Sequence, residues 1–186
     1  MIDIQMSPAS SKAAVSKQEI LDYLHQYQQE FFTPNATSVK LPDFDYETVI
    51  LIGIGGSAMG SRFFYHFFRS TISKSLIVLD NIHPDWVEQK LKGVDLGRTI
   101  CVSVSKSGNT LETLVLTDLL LQKYQQSHID VSKHFYAVSD NAESELCGLS
   151  QKHQFDLLQM PQKVGGRFSL FTESAMVPLA LLGLNT

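Results

Sequence analysis

An α/β fold built on a five-stranded parallel sheet is predicted by three features of this sequence. Five short apolar, β-branched runs alternate with helical patterns, the first run is apolar on both alternating sets of positions, and the two richest polar loops follow the first and third runs. A strand that is apolar on both sets needs cover on both faces, so the expected architecture is a three-layer sandwich. Strand order is not written in the chain. The doubly wound, flavodoxin-like order 2-1-3-4-5 is a common solution, and it sets strands 1 and 3 side by side at the switch point where ligands bind.

The elements follow in order. Residues 16–32 carry Ile20, Leu21, Leu24, Tyr27 and Phe31 at the spacing of one helical face, and Pro34 ends the pattern. A loop runs on through Pro42. The first strand is "TVILIGIG" (48–55), and "SAMGSRFFYHFF" (57–68) follows as a helix dense in aromatics. "SLIVLD" (75–80) is the second strand and "PDWVEQKLKG" (84–93) a helix closed by Gly93. "TICVSVS" (99–105) is the third strand, followed by a helix from about Leu111 to Gln125. "HFYAVS" (134–139) and "FDLLQM" (155–160) are the fourth and fifth strands, separated by a short helix over 144–152. The last segment, "ESAMVPLALLG", reads as a helix with Pro178 near its start or at a kink. The chain divides into an N-terminal helix and loop (1–44) and one sandwich domain (45–186).

Composition narrows the function classes. A net charge of −4 with no basic stripe argues against general nucleic-acid or membrane-surface binding, so an anionic ligand must be held by a local device. No apolar run approaches the length that spans a bilayer. The first 17 residues lack the continuous apolar core of a secretory signal. Cys101 and Cys147 lie far apart, and Cys101 falls in an apolar strand where a buried, reduced thiol is expected. A cytoplasmic protein is the simplest inference. The six histidines are scattered, so no metal site and no cofactor are expected.

Three loops carry candidate chemistry. In "GIGGSAMG" (53–60) the glycines admit close backbone approach, and Ser57 stands where a helix cap is expected. It misses the dinucleotide fingerprint because position 58 is alanine, although Asp80 lies at a suitable distance; a tight strand-to-helix turn is the simpler reading. In "SKSGNT" (105–110) Ser105, Ser107 and Thr110 offer hydroxyls, Gly108 opens the backbone and Asn109 tolerates left-handed geometry. With the amides that begin the Leu111 helix, these groups make a nest for phosphate, and Lys106 adds a full charge. The rival is a hydroxyl-rich cap, which needs only one hydroxyl. In "KVGGRFS" (163–169) two glycines free the backbone so that Arg167 can be aimed at developing negative charge on oxygen. Alone, that arginine reads more simply as the partner of a surface carboxylate.

Together "IGIGGSAMG", "VSKSGNTLET" and "VGGRFSLF", in this order and spacing, resemble the glucose-6-phosphate isomerase family. The second run alone is shared with sugar-isomerase (SIS) domains; "GGRFS" is the more specific. The resemblance covers residues from about 45 to the end and implies the SIS-type five-stranded sandwich. It implies that Ser105, Lys106, Ser107 and Thr110 grip a hexose phosphate, with Gly108 and Asn109 in the same loop, and that Gly56 and Ser57 also contact substrate. Gly166 and Arg167 would lie beside the reacting carbons, the arginine stabilising the enediolate.

It further implies a homodimer and interconversion of glucose 6-phosphate and fructose 6-phosphate, in glycolysis and gluconeogenesis. After "GGRFSLF" this chain departs from the family's small residues and glycine, with Thr172, Glu173, Ser174 and Ala175. The family's proton-moving carboxylate, ring-opening histidine and catalytic lysine lie beyond the position that matches Thr186. The expectation is a fragment that binds hexose phosphate and does not isomerise it unaided. The alternative is a non-catalytic SIS module that senses a sugar phosphate in a regulatory protein.

Overall fold

The structure, a computed structural model, describes residues 39–161 and 164–184 together with Gln18 and Asp22. The helix expected over 16–32 lies outside the described residues except for Gln18 and Asp22. Both are helical, and their side chains bond one turn apart at 2.8 Å.

Five strands, β1 (Thr48–Ile52), β2 (Ser75–Leu79), β3 (Thr99–Val104), β4 (Phe135–Ser139) and β5 (Asp156–Gln159), form one sheet in the order β2-β1-β3-β4-β5. Every pairing is parallel, and Thr48 stands opposite Ser75 on one side and Thr99 on the other. The expected order therefore holds. The helices are α1 (Gly56–Phe67), α2 (Pro84–Leu91), α3 (Leu111–Gln126), the short α4 (Val131–His134), α5 (Glu145–His153) and α6 (Glu173–Leu181). Turns of 3₁₀ helix precede β3 at Leu96–Arg98 and precede α6 at Gly166–Phe171.

Alternation along each strand sends side chains to two cores. On one face Val49, Leu51, Ile100, Val102, Val104 and Val138 pack with Ala58 of α1 and Val177, Leu179 and Leu181 of α6. On the other, Ile50, Ile52, Cys101, Phe135 and Ala137 pack with Val87 of α2, Leu116, Leu120 and Tyr124 of α3, and Leu146 of α5. All six residues of β3 are buried, as its central place requires. Helices cover both faces, so the molecule is the three-layer α/β sandwich.

Most of the polar side chains inside are paired, Thr113 Oγ1 being an exception. Thr117 Oγ1 donates to Thr113 O at 2.7 Å, so in the 2.7 Å bond between Ser103 and Thr117 it is Ser103 that donates. Thr99 O accepts from Tyr124 Oη at 3.0 Å and from His134 Nδ1 at 2.8 Å, which places the proton of a neutral His134 on Nδ1. Two tyrosine hydroxyls bridge segments far apart in sequence: Tyr46 donates to Leu181 O and Tyr136 to Lys40 O, each at 2.7 Å. Burial raises the phenol of Tyr46, and pushes that of Tyr136 up to about 12 with help from nearby Asp156.

Pro178 sits inside α6, past its first turn. Proline has no N–H to offer the carbonyl four residues back, that of Ser174. Ser61 of α1 bonds that carbonyl instead, at 3.5 Å, so the helix carries its proline through a neighbour's hydroxyl.

Cys101 and Cys147 are both buried free thiols. Burial pushes the Cys101 thiol up to about 12, with Tyr124 Oη 3.6 Å from its sulfur. Below that pH the thiol stays protonated and unreactive. In a Cys147→Ser background, iodoacetamide at pH 8 is expected to leave Cys101 unmodified in buffer and to label it fully in urea. Labelling of the folded protein at the rate of a free thiol would show this packing to be wrong.

Candidate functional site

β1 and β3 end side by side, and the loops that leave them meet. A side chain at Gly53 would lie 3.1 Å from Ser57 Cβ and 3.2 Å from Val104 O, so the first loop runs against the end of β3 with no room to spare. Gly55 takes φ +58 and occupies the cap position of α1, which therefore begins at Gly56. Ser57 consequently lies within the first turn of α1 and does not cap it, contrary to the sequence expectation. Gly56 and Ser57 are half-buried at the mouth of the sheet.

Asp80, the acidic residue of the dinucleotide reading, is bound to Arg62 of α1 at 3.0 Å. Gly60 serves helix packing: a Cβ there would fall 2.9 Å from Leu170 Cδ1 and 3.1 Å from Ala175 Cβ.

The loop after β3 folds on its own side chains. Ser105 is buried; its Oγ bonds Thr110 Oγ1 at 2.9 Å and accepts from the Gly108 amide at 3.1 Å. Ser107 is exposed, and its Oγ accepts from the Asn109 amide at 3.2 Å. The left-handed position is Gly108, at φ +67, and not Asn109 as the sequence suggested. Glycine alone suits the site because a Cβ there would run into Ser144 and lie 2.9 Å from Ser139 Oγ. Asn109 instead turns its Oδ1 to the Glu145 amide at 3.0 Å.

The Lys106 ammonium lies 3.6 Å from Asp140 Oδ2, both groups largely sheltered. Thr110 occupies the cap position of α3, yet no side chain caps the helix. A hydroxyl-rich cap was the rival reading of this loop, and the geometry argues against it: three hydroxyls adjoin the helix start and none serves as its cap. The first amides of α3 are left without a side-chain cap, at the positive end of its dipole. Glu112 occupies the first turn, where its charge suits the dipole.

The third loop forms the 3₁₀ turn Gly166–Phe171. It is held against α1, where Phe171 and Phe64 rings meet at 6.0 Å and Leu170 fills the space left by Gly60. Gly166 opens this turn; the side chain of Arg167 lies outside what is described. Thr172 caps α6 and accepts from the Ser174 amide at 3.4 Å, while Ser174 Oγ donates to Ser169 O at 2.7 Å. The residues that depart from the resemblance thus build an ordinary helix start.

A turn the sequence reading passed over, residues 139–144, backs the second loop. Ser139 Oγ and the Asp140 amide both donate to Lys106 O, at 3.1 and 3.0 Å. Its only signal in the chain is a run of short polar residues, "SDNAES", after the fourth strand. Among the described residues no cluster of three or more His, Cys, Asp or Glu is placed to hold a metal, and no helix is long and apolar enough to cross a membrane.

Comparison with known proteins bears on this arrangement. A family model described as phosphoglucose isomerase matches residues 9–184. A glucose-6-phosphate isomerase of Methanocaldococcus jannaschii is 34% identical over 140 residues, covering 75% of this chain and 34% of that protein. One of Chlamydia muridarum is 36% identical over 141 residues, covering 74% and 26%. The crystal structure of a glucose-6-phosphate isomerase from Chlamydia trachomatis superposes with a TM-score of 0.66 at 26% identity, covering 96% of this chain and 32% of that one. The chain thus spans about a third or less of the length of these relatives.

Gly108 tests the geometry of the second loop. Gly108→Ala adds a left-handed penalty and a clash with Ser144, together costing roughly 2–5 kcal/mol. Urea denaturation measures it, and a loss below about 0.5 kcal/mol would show that the loop is not seated on the turn as described.

Proposed function

The chain belongs to the phosphoglucose isomerase family, and on that premise we propose that residues 45–186 form an SIS-type domain that binds the phosphate of a hexose 6-phosphate. The substrate pair is glucose 6-phosphate and fructose 6-phosphate. One observation carries the reading: α3 starts uncapped beside Ser107 and Lys106, at the β1–β3 switch point. In a chain of net charge −4, this is a local device able to hold a dianion.

Within the site, Ser107, Thr110 and the leading amides of α3 receive the phosphate oxygens. Lys106 supplies the positive charge, drawn from its contact with Asp140. Ser105 and Gly108 shape the loop from inside, and Asn109 closes it. Gly56 and Ser57 line the opposite wall. Isomerisation then moves a proton between C1 and C2 of the opened sugar through an enediolate, whose oxygen carries the developing charge. Gly166 and Arg167 stand at that end, the guanidinium stabilising the enediolate oxygen.

The step needs a base poised near neutral pH, and none of the glutamates in this sequence has motif support for that role. The 186-residue chain alone is therefore expected to bind hexose phosphate without isomerising it. The reading also carries a cytoplasmic location, a role in glycolysis and gluconeogenesis, and assembly as a homodimer.

A melting-temperature titration tests the binding. Fructose 6-phosphate at a hundred times its Kd raises stability by about 2.7 kcal/mol if it binds the folded state alone. The combined change of Ser105, Ser107 and Thr110 to alanine is expected to abolish that rise while the protein stays folded. A rise that survives the triple change, or a larger one with NAD, would sink the proposal. In a coupled assay the chain alone should show no turnover; robust turnover lost on Arg167→Ala would overturn the second half.

A further inference from the structure

Two helices point their N-termini at the loop 105–110, and they use their free amides differently. Those of α3 lead from the uncapped Thr110. In α5 all four are engaged. The Ser144 amide donates to Asn141 O at 3.4 Å, the Glu145 amide to Asn109 Oδ1 at 3.0 Å, the Leu146 amide to Gly108 O at 3.0 Å and the Cys147 amide to Ser144 Oγ at 3.3 Å. Two of the four therefore bind the loop itself.

On the same side, Ser139 Oγ and the Asp140 amide converge on Lys106 O. Ser139 is buried, and its oxygen also accepts from the Asn141 amide at 3.2 Å, which orients the hydroxyl proton toward Lys106 O. The carbonyls of residues 106 and 108 are thus held on the α5 side. Peptide planes are rigid, so the Lys106 carbonyl fixed on one side places the Ser107 amide on the other, while the Asn109 amide, which follows Gly108 O, donates to Ser107 Oγ at 3.2 Å and holds that hydroxyl in place.

We propose that the N-terminus of α5, with Ser139, is a positioning element that presets the anion loop, and that Asn109 is the side chain joining the two. The proposal rests on the phosphate-binding reading of loop 105–110. It takes Asn109 out of direct contact with the ligand and gives it a role one step removed. A preset Ser107 amide and hydroxyl bind an anion without first being ordered, so the element acts on affinity.

The ligand it serves is the phosphate group alone. The element's contacts fall on the loop itself, at Lys106 O, Gly108 O and Asn109 Oδ1. Loss of the element must weaken inorganic phosphate and fructose 6-phosphate by the same factor.

The experiment measures Kd by calorimetry for both ligands on the full chain, well below its melting temperature, for the unaltered protein, Asn109→Ala and Ser139→Ala. Each variant loses one hydrogen bond to the loop, and an approximately fivefold weakening is expected for both ligands alike. Unchanged affinity in both folded variants, with wild-type binding intact, would overturn the positioning role and leave the phosphate site standing. A loss confined to fructose 6-phosphate would also overturn it, since Asn109 would then be reading the sugar. Absence of any binding by the unaltered chain would instead remove the phosphate reading beneath it. Should Asn109→Ala fail to fold, Ser139→Ala carries the test through a different atom.

Discussion

The pairing of β3 with β1 on one side and β4 on the other is the constraint from which the site follows. Because β2 lies beyond β1, the chain must cross over to begin β3, and the connections leave in opposite directions around the switch point. The loops after β1 and β3 open into that gap. Burial of all six β3 residues fixes the strand's register and depth, so Ser105 always leaves the sheet at the same height. A slip of one residue would turn Val102 and Val104 from one core to the other.

Electrostatics in this molecule are local. The protein carries net negative charge, and the Arg98 contacts with Asp45 and Glu47 are largely exposed and of little energetic weight. The Lys106–Asp140 contact differs because both partners are sheltered. There the lysine is held by a carboxylate on the backing turn. On the proposed reading, a dianion would compete with Asp140 for a cation already in place, whereas an unpositioned lysine would have to be ordered first.

Packing carries the third loop to the others. The turn Gly166–Phe171 has no strand to hold it; it is seated by Leu170 in the gap at Gly60 and by Phe171 against Phe64. Aromatic residues on α1 therefore have a role beyond the core, since they fix where the chain passes on its way to α6. Met59, Phe63 and Phe67 on the same helix are exposed, a face that packing within these residues does not use.

Much of this was legible in the chain because the signals are short-range. Alternation of apolar runs marks five strands, and their density on both faces demands helices above and below. Glycine and hydroxyl spacing marks the loops at 53–60 and 105–110. The resemblance of "GGRFS" named a family that the comparison bears out. What the chain did not show are relations between segments distant in sequence. Ser57 misses its cap because Gly55 turns the backbone one residue earlier. Asn109 yields the left-handed position to Gly108 because Ser139 and Ser144, more than thirty residues on, leave no space for a Cβ. The turn 139–144 and the start of α5 gain their meaning from the Lys106 and Gly108 carbonyls, which lie next to them because β3 and β4 are neighbours. Periodicity is a property of a few consecutive residues; whose carbonyl meets whose amide depends on how the strands are ordered, and no local pattern encodes that.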